Sequence, residues 1–313
     1  MKVAVLVFTL AMLPVCAQVE FRQSADQIEI SIDGKPFSTL YFGEEAPKPY
    51  LSPLRSASGI IVTRLFPMEK VEGETRDHPH HRGLWFTHGD VNQIDFWANE
   101  PGGKGRKGKV KLEKIHSVKG GKKEGSIRAS FLWLDDAGEP LVRELRTMTF
   151  YSDPSLRVLD FDATLTAVKR AVFGDTKEGF FAIRLRDAMK ERGGTGRMIN
   201  AEGKSGMREV WGKASPWVDY SGTLDGEKLG VAIFDHPQSF RHPTYWHARD
   251  YGLFAANAFG LHDFFNDKTR DGSHALEPGR SIRFIYRVLI HPGDTESAGI
   301  AARFAEFAKK KFR

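Results

Sequence analysis

Cysteine is almost missing from this chain. Among 313 residues only Cys16 is present, and it falls in an opening stretch that reads as an export leader. Lys2 supplies the charged start, Val3 to Leu13 a short apolar run, and Val15-Cys16-Ala17 the small residues that precede cleavage before Gln18. Residues 1–17 are therefore expected to be a signal peptide, and residues 18–313 a single mature domain without thiols. That excludes disulfides and thiolate chemistry, so stability must come from a large core. The Val3 to Leu13 run is too short to span a membrane, and the rest of the chain has no apolar run of the required length, so no membrane span is expected after cleavage. Neither a Gly-x-Ser-x-Gly elbow, a phosphate loop nor a dinucleotide fingerprint is present. No Gly/Ser/Pro linker divides the chain and no fixed-period repeat runs through it. The expected location is the periplasm or the exterior.

The formal charge is +6. Much of the excess lies between Lys104 and Lys123, where lysines and Arg106 alternate with glycines. Aromatic interleaving is sparse there, so a solvated hairpin or loop is expected and a nucleic-acid partner is not.

What the sequence has in abundance is strand pattern. Gln27 to Ile32 alternates apolar and polar residues, and Asp33-Gly34 supplies a tight turn before Phe37 to Phe42, which predicts a hairpin. Further strands are expected over 126–134, 141–151, 156–167, 179–185, 217–221, 230–234 and 281–290. A helical period emerges only at the C-terminus, where Asp294 can cap a helix through Lys310 with Ile300, Phe304 and Phe307 on one face. The reading is an all-β fold: a large antiparallel β-sandwich, bigger than an immunoglobulin domain, with a C-terminal helix.

Chemistry concentrates in three clusters. Four of the eleven histidines (His78, His80, His81 and His88) fall between Asp77 and Asp90. Pro79 biases His78 toward extended backbone, which would place His78 and His80 on one face and His81 on the other. His78, His80 and His88 form a candidate three-nitrogen metal site. No cofactor is otherwise expected, and a divalent metal is the alternative. Asp90 and Asn92 follow, able to orient a histidine or bind hydroxyls, with Trp85 and Trp97 as stacking surfaces. The second cluster, Gly174 to Arg186, carries Glu178 at a strand entrance, and Arg184 and Arg186 on one strand face. The third spans Asp235 to Phe264. In it Trp246 and Ala248 would share one strand face and His247 and Arg249 the other, with Lys213 shortly before and Asn257 after.

If the clusters converge in one cleft, His81, His88 and His247 are the candidate proton carriers, with Glu178 and Asp90 as carboxylate partners. Arg82, Asn92, Arg184, Lys213, Arg249 and Asn257 would hold substrate oxygens, while Trp85 and Trp246 would offer stacking surface.

Asp77-His78-Pro79-His80-His81-Arg82-Gly83-Leu84-Trp85-Phe86 with His88-Gly89-Asp90-Val91-Asn92 resembles the family labelled PmoA-like, or methane oxygenase PmoA-like, a DUF6807-type domain of unknown function. Gly174 to Arg184, Trp211-Gly212-Lys213, Trp246 to Gly252 and Asn257-Ala258-Phe259-Gly260 are similar to it as well, with Ala258 where proline is expected. The label's methane oxidation is physically implausible for a chain without membrane spans. The resemblance implies exported proteins of polysaccharide-degrading bacteria and a galactose-mutarotase-like supersandwich. The function expected from residues and resemblance together is acid–base chemistry on a small sugar or glycoside, as an epimerase, lyase or hydrolase. A His-ligated metal enzyme and a noncatalytic sugar-binding module are the alternatives.

Overall fold

The computed structural model describes residues 18–312; the expected signal peptide lies outside the described residues. Two eight-stranded antiparallel sheets carry the fold. The first runs, in spatial order, β1 (Val19–Gln23), β2 (Gln27–Ile32), β3 (Lys35–Tyr41), β4 (Tyr50–Ser52), β5 (Leu84–His88), β11 (Gly179–Arg184), β16 (Leu253–Asn257) and β15 (Tyr245–Ala248). The second runs β12 (Arg197–Asn200), β13 (Trp217–Leu224), β14 (Glu227–Asp235), β18 (Ser281–Pro292), β9 (Arg157–Ala167), β8 (Pro140–Tyr151), β7 (Glu124–Leu134) and β6 (Lys109–Lys119). A two-stranded ribbon, β10 (Ala171–Phe173) with β17 (His274–Leu276), and the short helices α1 (Met207–Val210) and α2 (Leu261–Phe265) complete the connections before α3 (Ile300–Lys309). The all-β antiparallel sandwich with a C-terminal helix is thus what the chain forms.

The local reasons are those of the sequence. Asp33 and Gly34 sit at φ 55° and 71°, and Asp225 and Gly226 at 48° and 86°, the double left-handed geometry that matches hairpin twist. Inward residues of the two sheets meet as aromatic pairs. Phe181 lies parallel to Tyr286 with centroids 4.8 Å apart, Phe180 stacks on Phe284 at 4.8 Å, and Phe86 meets Phe161 at 5.1 Å. The lysine-rich stretch forms edge strand β6, hairpinned to β7. Charge on an edge strand discourages pairing with another chain.

Helix α3 covers the outer face of the second sheet, seating Ile300 and Phe307 against Trp217, Phe234, Ile285 and Leu289. Asp294 does not cap it. Its carboxylate accepts from the Ser297 amide and hydroxyl in the preceding turn, and the helix starts after Gly299 at φ 63°. The approach to α3 is held from below. Thr295 Oγ1 donates to Asp219 Oδ2 at 2.6 Å, and fully buried His291 donates from Nε2 to Asp219 Oδ1 at 3.0 Å. Burial works against the charged form of His291, but the Asp219 carboxylate and a second bond to the Pro292 carbonyl outweigh it and raise its pKa.

His291→Gln leaves a buried carboxylate without its counter-charge and is expected to cost about 3–5 kcal/mol. The native imidazole keeps its proton above 6.5, where the unfolded one releases it. The pair's extra stability is therefore full below pH ~6.5 and is lost as pH rises through the native pKa. Melting curves of both proteins between pH 6 and 9 should show the wild-type advantage shrinking toward alkaline pH; a constant gap would contradict the imidazolium assignment.

Candidate functional site

One row of paired residues crosses five strands of the first sheet on the face turned away from the second. Tyr50 pairs with Trp85, Trp85 with Ala182, Ala182 with Ala255, and Ala255 with His247. Two alanines between large side chains leave a trough. Trp97, from the loop after β5, packs there: its ring lies 5.0 Å from that of Trp85 and 6.2 Å, nearly parallel, from that of His247.

The connection between β4 and β5 folds back over this row and brings the histidine cluster with it. Tyr251, His78, His81 and Trp85 form a continuous stack with successive centroid distances of 5.3, 4.7 and 5.2 Å. His80 stands edge-on to His78 and His81 at 5.6 and 4.4 Å. The expected alternation of His78 and His80 against His81 is therefore not observed. His78 adopts φ 45° rather than extended backbone, and the left-handed turn gathers all three rings.

Asp77 fixes that turn. Its Oδ1 accepts from Arg64 Nη1 at 2.5 Å and Arg184 Nη2 at 2.8 Å, and its Oδ2 lies 3.2 Å from His78 Nδ1. Both arginines are fully buried. Arg64 also binds the His78 carbonyl, and Arg184 lies over the Tyr251 ring and 3.3 Å from His81 Nδ1. Burial works against the charged form of Asp77, and the two guanidiniums nevertheless hold its pKa below the usual value.

His80, His81 and His247 are neutral. Burial, reinforced by nearby cations and rings, drives His81 and His247 far below the ordinary value and His80 down to about 3. His247 Nε2 accepts from Arg249 Nε at 3.1 Å, which puts its proton on Nδ1, and Arg249 lies flat over Trp211 at 4.1 Å. Lys48, which the sequence reading missed, is fully buried beside His80. Its Nζ donates to the Trp97 carbonyl at 2.5 Å and Asn99 Oδ1 at 3.0 Å, and burial pushes its pKa down to about 7.

Of the residues singled out from sequence, His81, Arg184 and His247 meet on this face. Arg249 joins them through His247, and Glu178, ion-paired to Lys177 at 2.9 Å, joins the rim beside Tyr251. The expected side assignment of β15 holds, with Trp246 and Ala248 in the sandwich core and His247 outside.

His88 does not join them. It shares strand parity with Leu84 and Phe86, so its ring points into the sandwich among Phe173, Phe180 and Phe259. Its Nε2 bonds the Gly174 carbonyl at 2.8 Å, and burial pushes its pKa down to about 4. The His78, His80 and His88 metal triad is accordingly not assembled. Among the described residues no three His, Cys, Asp or Glu side chains converge to hold a metal ion.

Several other expectations are corrected by burial or by hydrogen bonding. Trp85 is 2% exposed beneath His81, and Trp246 is wholly interior with Nε1 donating to the Ser215 carbonyl, so neither offers a stacking surface. Asp90 accepts from the Gln93 amide within its own turn. Asn92 ties the Arg170 carbonyl to the Val172 amide, and Asn257 ties the Thr176 carbonyl to the Phe259 amide. Arg82 is clamped in a two-point ion pair with Glu100 at 3.0 and 2.7 Å. Lys213 is exposed to solvent. The accessible aromatic surface comes instead from half-buried Tyr251 and Trp211.

Residues 27–305 match the family described as a family of unknown function, DUF6807. The chain belongs to that family. The description assigns DUF6807 no methane-oxygenase role, and no helix among the described residues is long and apolar enough to cross a membrane. No curated protein matches the sequence. Among solved structures, a galactose mutarotase-like protein from Clostridium acetobutylicum aligns with a TM-score of 0.46 at 9% identity, over 88% of this chain and 98% of that one. A galactose mutarotase-like protein from Lactobacillus casei aligns at 0.43 and 8%, over 87% and 100%. The GH36 alpha-galactosidase AgaA from Geobacillus stearothermophilus, in an A355E form, aligns at 0.43 and 10%, over 88% of this DUF6807 chain and 40% of its own.

Asp77→Asn removes the carboxylate shared by two fully buried arginines, so it should destabilise the fold by about 3 kcal/mol. It should also loosen the segment around His78. Urea unfolding and limited proteolysis would read both effects; an unchanged urea midpoint would show that Asp77 does not hold the turn.

Proposed function

We propose that this chain takes a sugar or glycoside against the outer face of the first sheet and transforms it by acid–base chemistry. The observation that carries the reading is the convergence, around one trough, of imidazoles, guanidiniums, a carboxylate and half-buried aromatic rings from three distant stretches of sequence. Sugars present hydroxyls in every direction and an apolar ring face, and this mixture of groups complements both.

The proton carriers in this proposal differ from those expected from sequence alone. His81 and His247 have pKa values far below neutrality, so they stay unprotonated and are weak bases, suited to shaping the site. His78 is the reachable imidazole: its side chain is 40% exposed, and Asp77 lies 3.2 Å from its Nδ1, the arrangement in which a carboxylate orients a ring for proton transfer. Glu178, one-third exposed on the rim, is the carboxylate partner. Arg249 and Lys177 would hold substrate oxygens, with Tyr251 and Trp211 against the ring. With residues 1–17 as an export leader, this activity would lie outside the cytoplasm.

The test is a panel of glycosides and keto-glycosides assayed for binding and turnover with wild type, His78→Ala and Glu178→Gln. Turnover that falls about 100-fold or more in both variants, with binding retained, is the expected result. Binding without turnover would favour a sugar-binding module instead, and neither binding nor turnover across the panel would remove the proposal.

A further inference from the structure

The charges on this face do not balance. Arg82 pairs with Glu100, Lys107 with Asp95, and Lys177 with Glu178, each one to one. Asp77 must serve both Arg64 and Arg184. Among the described residues Arg249 has no carboxylate partner and donates through Nε to a neutral imidazole, and Lys48, whose pKa burial lowers to about 7, donates only to neutral oxygens. The two Nη nitrogens of Arg249 have no partner among the described residues, and its flat face is already fixed on Trp211. A half-buried guanidinium held in place with its fork free is a ready receptor for a planar anion.

A second observation shows the same shortage of acceptors on this face. Nε1 of Trp85 and Nε1 of Trp97 are buried without a hydrogen-bond partner, on this face, in side chains that are 2% and 0% exposed. Indole nitrogen only donates, so this face holds buried donors in excess of its own acceptors.

We infer that the ligand is an acidic sugar, a uronate or uronate-containing glycoside, whose carboxylate sits on the free fork of Arg249. The inference rests on the sugar reading above and narrows it. Neutral sugars would leave the surplus charge uncompensated, whereas a carboxylate supplies the missing acceptor pair in the geometry that guanidinium prefers.

Calorimetric titration of the full mature chain with methyl glucuronoside and methyl galacturonoside, beside the corresponding neutral glucoside and galactoside, tests this. The uronates should bind about tenfold or more tightly than their neutral counterparts, and the preference should weaken as salt is raised. Methyl esterification of the uronate should abolish the preference without any change to the protein. Arg249→Gln, checked for an unchanged melting temperature, should bring uronate affinity down to the neutral level, and Arg249→Lys should restore part of it. Equal affinity for neutral and acidic sugars, or a preference that survives esterification, overturns the inference and leaves the sugar reading standing. Tighter binding of glucose 6-phosphate than of either uronate also overturns it, in favour of a phosphate. Failure of every sugar to bind overturns both.

Discussion

The site depends on two alanines. Ala182 and Ala255 stand side by side in the row that runs from Tyr50 to His247, and a larger residue at either would fill the trough that seats Trp97. Without Trp97 there, Trp85 and His247 would lose the ring that packs against both. The histidine stack is built on Trp85, so its position follows from strand register rather than from the histidine loop itself. Interior packing at crystal-like density transmits such a constraint: a methyl's difference in the sheet is felt by the rings above it.

Electrostatics then decides what each ring can do. Asp77 neutralises part of the charge of two buried guanidiniums, and in binding Arg64 and Arg184 together it joins the β4–β5 connection to β11. Burial penalises a proton on His80 and His81, and nearby cations add to it: Lys48 and Arg64 for His80, Arg184 and Arg64 for His81. Depth thus divides the histidines of this face. Those pressed against the sheet are neutral spacers, and the one at the surface keeps contact with both solvent and a carboxylate.

Much of this was legible in the sequence where period and turn chemistry are local. The hairpins at Asp33-Gly34 and Asp225-Gly226, the long central strands, and the opposite facing of Trp246 and His247 all follow from a two-residue period and from turn residues that tolerate positive φ. The same period also places His88 with Leu84 and Phe86, on the inner face; the polarity of imidazole argued the other way, and one bond to the Gly174 carbonyl satisfies Nε2 while Nδ1 is buried without a partner among the described residues. What the sequence did not carry was the path of the long β4–β5 connection. Its shape is set by Arg64 and Arg184 reaching one carboxylate, a tertiary arrangement with no periodic signal. Lys48 was invisible for a similar reason. It stands alone between Pro47 and Pro49, and its burial arises from Trp97 and Asn99, half a hundred residues away.

Two equally hidden histidines show how neighbours reinforce or offset the effect of burial. His291 and His81 are equally hidden from solvent. His291 faces the carboxylate of Asp219 and a backbone carbonyl, two acceptors that can be satisfied only by two ring protons, so it is held as a cation and serves as a strut beneath the approach to α3. His81 is held neutral first by burial, and the guanidinium of Arg184, a donor that can be satisfied only by a bare ring nitrogen, adds to it. His81 is locked in its neutral state, and a residue locked in one state cannot pass a proton back and forth. A transfer function on the first sheet's outer face must therefore fall to groups that meet both water and a partner of opposite character. In the histidine cluster, His78 beside Asp77 is the one that meets this condition.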